Sequence, residues 1–310
     1  MARLRAGVGA HRLVLPEAGA VGVLGVGAPD PRIDDADVVF GQPVAEQVMA
    51  ATRVRSVHLT SAGYTRYDRG ELRDAFRARG AALTKSSLVY DEPCALQVLA
   101  FLCAQARQLP AALDAQRGAR DWPHLPLRSQ SSLLRGEQVV LVGFGSIARR
   151  LVDLLAPLRM EVSALRRRVV GDEPVPTHAI DQPAAAEALA AADHVVDLLP
   201  DSPATRGYFG AARLAALKRG AVFYNIGRGT TVDESALHAA LVSGALAAAY
   251  LDVTSVEPLP PENPLWSAPR CFITPHTAGG HRGEGLRLAQ HFLDNLARFD
   301  AGRPLLDRVV

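Results

Sequence analysis

Residues 139–151 read VVLVGFGSIARRL. The apolar run Val139 to Val142 predicts a buried strand. The chain then turns through Gly143, Phe144 and Gly145 and opens a helix with Ser146, Ile147 and Ala148. A bound dinucleotide needs this order of elements. The first glycine permits a tight turn, the second lets backbone amides approach a pyrophosphate, and a small third residue lets helix and strand pack closely. The phosphates then meet a helix N-terminus, where unpaired N–H groups and the helix dipole favour negative charge. A second G-x-G, Gly25-Val26-Gly27-Ala28, runs instead into Pro29, Asp30 and Pro31 with no helical period, and is expected to be a strand-to-loop turn.

Outward from this motif toward the C-terminus, strands and helices alternate. Strands are expected at 161–165, 194–199, 221–226, 248–252 and 272–274, with helices at 146–157, 184–191, 210–217, 233–242 and 283–299. That rhythm implies a parallel, doubly wound α/β (Rossmann) sheet covered by helices on both faces. Toward the N-terminus, short strands are expected at 38–40, 54–59 and 82–84, with a helix at 66–79 ending at Gly80. A buried helix is expected at 94–106 with Pro93 in its first turn. Residues 107–135 read as polar and irregular, since Pro110, Pro123 and Pro126 oppose long regular elements.

Bulk properties narrow the class. The 310 residues suggest two domains; 48% are hydrophobic and 21% charged, as in ordinary globular chains. A formal charge of +2 gives no reason to expect nucleic acid as a partner. Cys94, Cys103 and Cys271 show no metal-ligand spacing and fit a reducing compartment, so no metal is expected. No uninterrupted apolar stretch approaches about 20 residues and no signal-peptide pattern opens the chain, so a cytoplasmic protein with no membrane partner is expected. Lysine occurs only at Lys85 and Lys218, so nearly all positive charge is arginine.

Three further segments fall at expected strand ends: Asn225-Ile226-Gly227-Arg228-Gly229, Leu251-Asp252-Val253 leading to Glu257-Pro258, and Thr274-Pro275-His276-Thr277-Ala278-Gly279. In an open α/β sheet the ligand crevice lies beyond the carboxyl ends of the strands. Other pieces keep order with them: Ser61-Ala62-Gly63 through Asp68, Val89-Tyr90 before Pro93, Leu199-Pro200 with Pro203-Ala204-Thr205-Arg206-Gly207, Val232-Asp233-Glu234 and Pro264-Leu265-Trp266. Taken jointly, the chain resembles the D-2-hydroxyacid dehydrogenase family over nearly its whole length, in particular its glyoxylate/hydroxypyruvate reductase-like members.

The resemblance implies a cofactor domain at 92–281 inserted in a smaller α/β substrate domain made of 1–91 and 282–310. It implies hydride transfer between a nicotinamide cofactor and a small 2-oxoacid or D-2-hydroxyacid. His276 is then the general acid and base. Glu257 fixes its tautomer and favours its charged form. Arg228 holds the substrate carboxylate and polarises its carbonyl. The backbone amides of Ala62 and Gly63 take the other side of the carboxylate. Cofactor contacts are implied at Gly143, Gly145, Ser146, Ile147, Arg166, Arg167, Pro200, Thr205, Ile226, Asp252 and Gly279, with Asp252 orienting the nicotinamide end. Leu88, Val89 and Tyr64 could line an apolar substrate pocket, and Tyr90 and Trp122 read as core or pocket-wall residues. A homodimer built on the cofactor domain is also implied, although Leu96 and Gln97 stand where the family often has Glu-His.

The cofactor choice turns on the end of the second strand. NAD-specific members carry an acid there to bind the ribose 2′-hydroxyl. Here Arg166 occupies that position, followed by Arg167 and Arg168, while Glu161 lies too early and Asp172 too late. A guanidinium suits a 2′-phosphate, so NADP is expected, with NAD as the alternative. Two rival readings remain open at this stage. One is a non-catalytic, nucleotide-sensing interaction protein like the family's corepressors. The other is a formate dehydrogenase-like enzyme, against which Glu257 speaks because those pair histidine with glutamine.

Overall fold

The computed structural model describes residues 1–16, 25 and 27–310. Val26 of the first G-x-G lies outside them, so that reading rests on its flanks. After Gly27 comes a 3-10 turn, Pro31–Ile33, capped by the Asp30 side chain. The chain divides into two compact units, Met1–Tyr90 with Gly280–Val310, and Asp91–Gly279.

The first unit is built on three parallel strands, β1 (Val38–Gly41), β2 (Ser56–Leu59) and β3 (Ala82–Thr84), with β2 in the middle. Helix Gly70–Ala78 lays Leu72 and Phe76 on Val48, Val54, Val57, Leu59 and Leu83. Its start follows a separate 3-10 turn at Thr65–Tyr67, so the helix expected from residue 66 begins four residues later. Val309 and Val310 pack on the same cluster, and the Val309 N–H donates to the Leu83 carbonyl at 2.7 Å. Inside, the ring of His58 is sealed off. Its Nε2 lies 3.2 Å from Ser86 Oγ, whose own hydrogen goes to the Leu59 carbonyl, and its Nδ1 lies 2.7 Å from the Thr84 hydroxyl and 3.2 Å from the Asn295 amide. The ring is therefore a neutral Nε2–H tautomer, and burial, helped by His291, pushes its pKa down to about 3.

The second unit is a seven-stranded parallel sheet. Its strands are β4 (Gln138–Val142), β5 (Glu161–Arg166), β6 (Thr177–Ala179), β7 (His194–Asp197), β8 (Ala221–Asn225), β9 (Leu246–Leu251) and β10 (Cys271–Ile273). Their spatial order is β10-β9-β8-β7-β4-β5-β6. The inner strands are buried runs rather than alternating ones, as a sheet covered on both faces requires. From β4 the chain builds outward through β5 and β6, then returns to the opposite side of β4 and continues through β7 to β10. The switch point thus lies between β4 and β7, where doubly wound sheets bind ligands.

Several boundaries correct the sequence reading. The helix expected at 94–106 runs from Ser87 to Ala106 with Pro93 inside it. A row of buried residues, Tyr90, Cys94, Val98, Leu102 and Ala106, repeats every four positions with Val89 and Ala95 buried beside it, so apolar burial carries the helix through a proline that costs about 3 kcal/mol. This helix is long and apolar enough to cross a membrane by length and composition alone. Its C-terminal half packs on the sheet instead: the Phe101 ring lies 4.8 Å from that of Tyr250, whose hydroxyl donates to Gln105. Residues 107–135 are not irregular throughout; they hold two short helices, Leu109–Arg117 and His124–Gln130. Trp122, read as core or pocket wall, is 87% exposed, whereas Tyr90 is buried.

Candidate active site

The phosphate turn is shaped by its neighbours. Gly143 takes φ +101°, and a Cβ on it would stand 3.0 Å from the Leu198 carbonyl oxygen, so only glycine lets β4 turn here. Beside Gly145 a Cβ would meet nothing within 4 Å. That open space lies at the N-cap of helix Ser146–Leu155, whose first N–H groups lack intrahelical partners, so a pyrophosphate fits. Ala148 is fully buried, in keeping with the close helix–strand contact expected of it. Across the switch point, the turn after β7 is closed by Thr205, whose hydroxyl donates to the Pro200 carbonyl at 2.6 Å and accepts from the Ser202 N–H at 3.0 Å.

Arg228 follows β8 between two glycines, and both are packing requirements. A Cβ at 227 would lie 2.6 Å from the Leu199 carbonyl oxygen, and one at 229 would lie 1.9 Å from the Thr254 carbonyl carbon. The loop is therefore wedged between the chain after β7 and the chain after β9. Asn225 ties it further, accepting the Gly227 N–H at 3.0 Å and donating to the Arg228 carbonyl at 3.1 Å. Ile226 is buried and donates its N–H to Asp197. The Arg228 guanidinium rests on the Gly227 carbonyl at 2.6 Å.

Asp252, just past β9, organises the turn that carries His276. Its carboxylate accepts the Thr274 hydroxyl at 2.6 Å, the Thr277 N–H at 2.9 Å and the Ala278 N–H at 3.0 Å. Its carbonyl accepts the His276 N–H at 2.8 Å. Inside this frame His276 sits at φ +52°, an uncommon left-handed conformation for a side-chain-bearing residue and one that clusters at functional sites. Ala278 and Gly279 follow in a turn. The imidazole Nδ1 lies 2.7 Å from Glu257 Oε2, while Glu257 Oε1 accepts the Thr254 N–H at 3.1 Å. With Glu257 ionised, Nδ1 must donate, which leaves Nε2 to carry any reacting proton.

The residues expected to choose the cofactor tell a more mixed story. Arg166 ends β5, and Arg167 and Arg168 are exposed. However, the sequence reading overlooked Glu173. The loop 167–173 folds back so that its carboxylate pairs with the Arg166 guanidinium and accepts the Val170 and Gly171 N–H groups at 3.0 and 2.8 Å. Those bonds pull the Glu173 pKa down to about 2. Asp172 turns the other way, to Arg149. In the first unit, Ala62 and Gly63 lie in a turn held by the Ser61 hydroxyl on the Gly63 carbonyl (2.6 Å) and by the Ser86 N–H on the Ser61 carbonyl. Among the described residues no acceptor engages the Ala62 or Gly63 N–H.

Residues 99–278 match the family model described as D-isomer specific 2-hydroxyacid dehydrogenase, NAD binding domain. The chain belongs to the D-isomer-specific 2-hydroxyacid dehydrogenase family. Glyoxylate/hydroxypyruvate reductase B of Citrobacter koseri is 30% identical over 247 residues, covering 79% of this chain and 74% of that one. Among solved structures, a family member from Xanthobacter autotrophicus Py2 in complex with NADPH and MES is 29% identical, with a TM-score of 0.81, covering 100% of this chain and 93% of that one. A probable 2-hydroxyacid dehydrogenase from Rhizobium etli CFN 42, in complex with NADP, HEPES and L(+)-tartaric acid, is 25% identical, with a TM-score of 0.78, covering 91% of this chain and 86% of that one. This dehydrogenase is accordingly a hydride-transfer oxidoreductase of small hydroxyacids and oxoacids, built on an α/β Rossmann-like nucleotide-binding unit.

The sequence offers candidate reactive side chains but not what holds them. Thr254, Asn225 and Glu173 were missed as supports. A signal existed for Asn225, a polar residue closing an apolar strand. For Thr254 and Glu173 the partner is set by loop geometry, which no spacing rule encodes.

Proposed function

We propose that this protein reduces a small 2-oxoacid with NADPH, His276 donating the proton from Nε2. The observation that carries the reading is the 2.7 Å pair of His276 Nδ1 and Glu257, set in a turn that Asp252 holds from both sides. Glu257 keeps the proton on Nδ1 and stabilises the imidazolium. As charge grows on the substrate oxygen, Nε2–H is the donor aimed at it, and in the oxidative direction the neutral ring takes the proton back. Arg228 offers a fork of N–H donors to the substrate carboxylate. In the smaller unit, the Ala62 and Gly63 N–H groups meet no acceptor among the described residues, and substrate binding is assigned to that unit. The bound nicotinamide supplies the reducing equivalent. Gly143, Gly145, Ser146 and Ile147 would hold its pyrophosphate, with Pro200, Thr205, Ile226, Asp252 and Gly279 along the rest of it.

Arg166 and Arg167 support NADP, as do the NADPH and NADP in the two structural relatives. The Glu173 carboxylate on Arg166 argues for a moderate preference and not an absolute one. We further assign a homodimer formed on the nucleotide-binding unit. Leu109, Leu113, Trp122, Leu125 and Leu133 are all exposed within 25 residues of that unit, apolar surface that a subunit contact would cover. Three unpaired cysteines fit a cytoplasmic setting. The deciding experiment follows nicotinamide absorbance with NADPH or NADH against glyoxylate, hydroxypyruvate, pyruvate and phenylpyruvate. Turnover chiefly with NADPH is expected. Nucleotide binding without turnover on any oxoacid would defeat the enzymatic reading.

A further inference from the structure

Asp197 ends β7 with its carboxyl fully buried. One carboxyl oxygen accepts the Leu199 N–H at 3.0 Å, and the other lies 2.5 Å from Thr231 Oγ1. The same Thr231 oxygen lies 2.6 Å from the carbonyl oxygen of Arg228. A threonine hydroxyl has one hydrogen, yet both of these short oxygen–oxygen contacts require a hydrogen between them. One assignment supplies two: the Asp197 acid O–H donates to Thr231, and the Thr231 O–H donates to Arg228. An ionised Asp197 would instead take the threonine hydrogen and leave two lone pairs facing each other across 2.6 Å. On the neighbouring strand, Asn225 stands in register with Asp197 and donates to the same Arg228 carbonyl at 3.1 Å. Two adjacent strand ends thus grip one carbonyl.

We propose that Asp197 is a positioning residue for Arg228, acting as a neutral acid through Thr231 to fix the backbone from which the guanidinium reaches the substrate carboxylate. This deepens the assignment of Arg228 as carboxylate ligand and rests on it. Burial pushes the Asp197 carboxyl up to about 7, so the acid form is available at and below neutral pH. The titratable group facing it is Tyr208, with Arg213 stacked 3.7 Å over that ring. Asp201 turns away to Thr230 and Arg206. Above neutral pH Asp197 ionises, the tie from Thr231 to Arg228 loosens, and KM for the oxoacid rises.

The test compares Asp197→Asn, Asp197→Leu, Thr231→Val and Thr231→Ser in the full protein, with glyoxylate as substrate. Asparagine keeps both a donor toward Thr231 and an acceptor for Leu199, so Asp197→Asn is expected to hold a low KM and to lose its rise with pH. Asp197→Leu and Thr231→Val are expected to raise KM about tenfold, since small misplacements of a positioned group cost that much or more. NADPH affinity, read by fluorescence titration, stays unchanged in Thr231→Val, and Thr231→Ser restores KM. An infrared difference between wild type and Asp197→Asn at about pH 6 should carry a protonated-carboxyl band. A KM in Asp197→Asn as high as in Asp197→Leu, an unchanged KM in Thr231→Val, or no acid band would each overturn the proposal. If Asp197→Leu does not fold, Thr231→Val and the infrared band decide. A normal glyoxylate KM in Arg228→Gln overturns the assignment beneath the proposal, a separate outcome from the band.

Discussion

Gly229→Ala is a single methyl added at the tightest point of the site. Its Cβ would stand 1.9 Å from the Thr254 carbonyl carbon, 2.1 Å from that carbonyl's oxygen and 2.3 Å from the Ser255 nitrogen. All three are backbone atoms, so no side chain can swing away. Ordinary carbon–carbon contact begins near about 3.5 Å, so the two chains must part by about 1.5 Å. Either the Arg228 loop moves, or Thr254 does and takes with it the N–H that holds Glu257. Both routes disturb the reactive constellation. Overpacking of this kind costs about 1–3 kcal/mol of stability, and a displacement of about 1 Å at a reacting group costs about 100-fold in rate. We therefore expect Gly229→Ala to fold with a lowered melting temperature and to lose about 100-fold or more in kcat/KM. Steady-state kinetics beside thermal denaturation and nucleotide titration separates these effects. A folded variant with kcat/KM within twofold of wild type would refute the wedge.

His276→Ala should fold and bind nucleotide yet lose most turnover, and Glu257→Gln should lower turnover and alter its pH dependence with nucleotide affinity intact; an unchanged pH–rate profile in the glutamine variant would sink the pairing. Glu173→Gln should release Arg166 and raise the ratio of NADPH to NADH affinity measured by direct titration, and a fall in that ratio would show that the carboxylate does not oppose the 2′-phosphate. His58 is neutral when folded, with its pKa pushed down to about 3 from an ordinary value near 6.5. Its contribution to stability is present in full above about pH 6.5 and is lost as pH falls toward 3, at up to about 1.4 kcal/mol per pH unit. Urea denaturation at a series of pH values should show this slope shrink in His58→Gln; an identical slope would assign the acid sensitivity elsewhere. Trp122→Glu with Leu133→Glu should convert a dimer to a monomer in sedimentation, and an unchanged mass would move the interface.

Much of the nucleotide-binding unit was legible because its strands are continuous apolar runs that end at glycine, proline or a polar residue. Val139 to Val142 could hardly be anything else, and the segments after β8 and β10 carry Arg228 and His276 at fixed distances from those ends. Where the pattern was weak the reading slipped. Thr177–Ala179 is an edge strand of three half-buried residues and left no signal. Pro93 reads as a helix start because local chemistry disfavours proline inside a helix, but burial along Tyr90, Cys94 and Val98 outweighs it. The site itself was half legible. Candidate reactive residues announce themselves by type and place, whereas Glu173 reaches Arg166 across a seven-residue loop, and Asp197 meets Thr231 from 34 positions away.

The strand order carries a consequence for how such an enzyme can change. Arg228, Asp252 and His276 follow β8, β9 and β10, all on one flank of β4, while Arg166 and its partner Glu173 extend from β5 on the other. The two groups share no bonded neighbour among the described residues, and distant sites combine their effects almost independently. With the roles proposed above, selection on the currency of the reaction can proceed on one flank while the proton chemistry on the other stays untouched. On that proposal, a lineage exchanging one nicotinamide for the other would begin by rewriting the 166–173 loop.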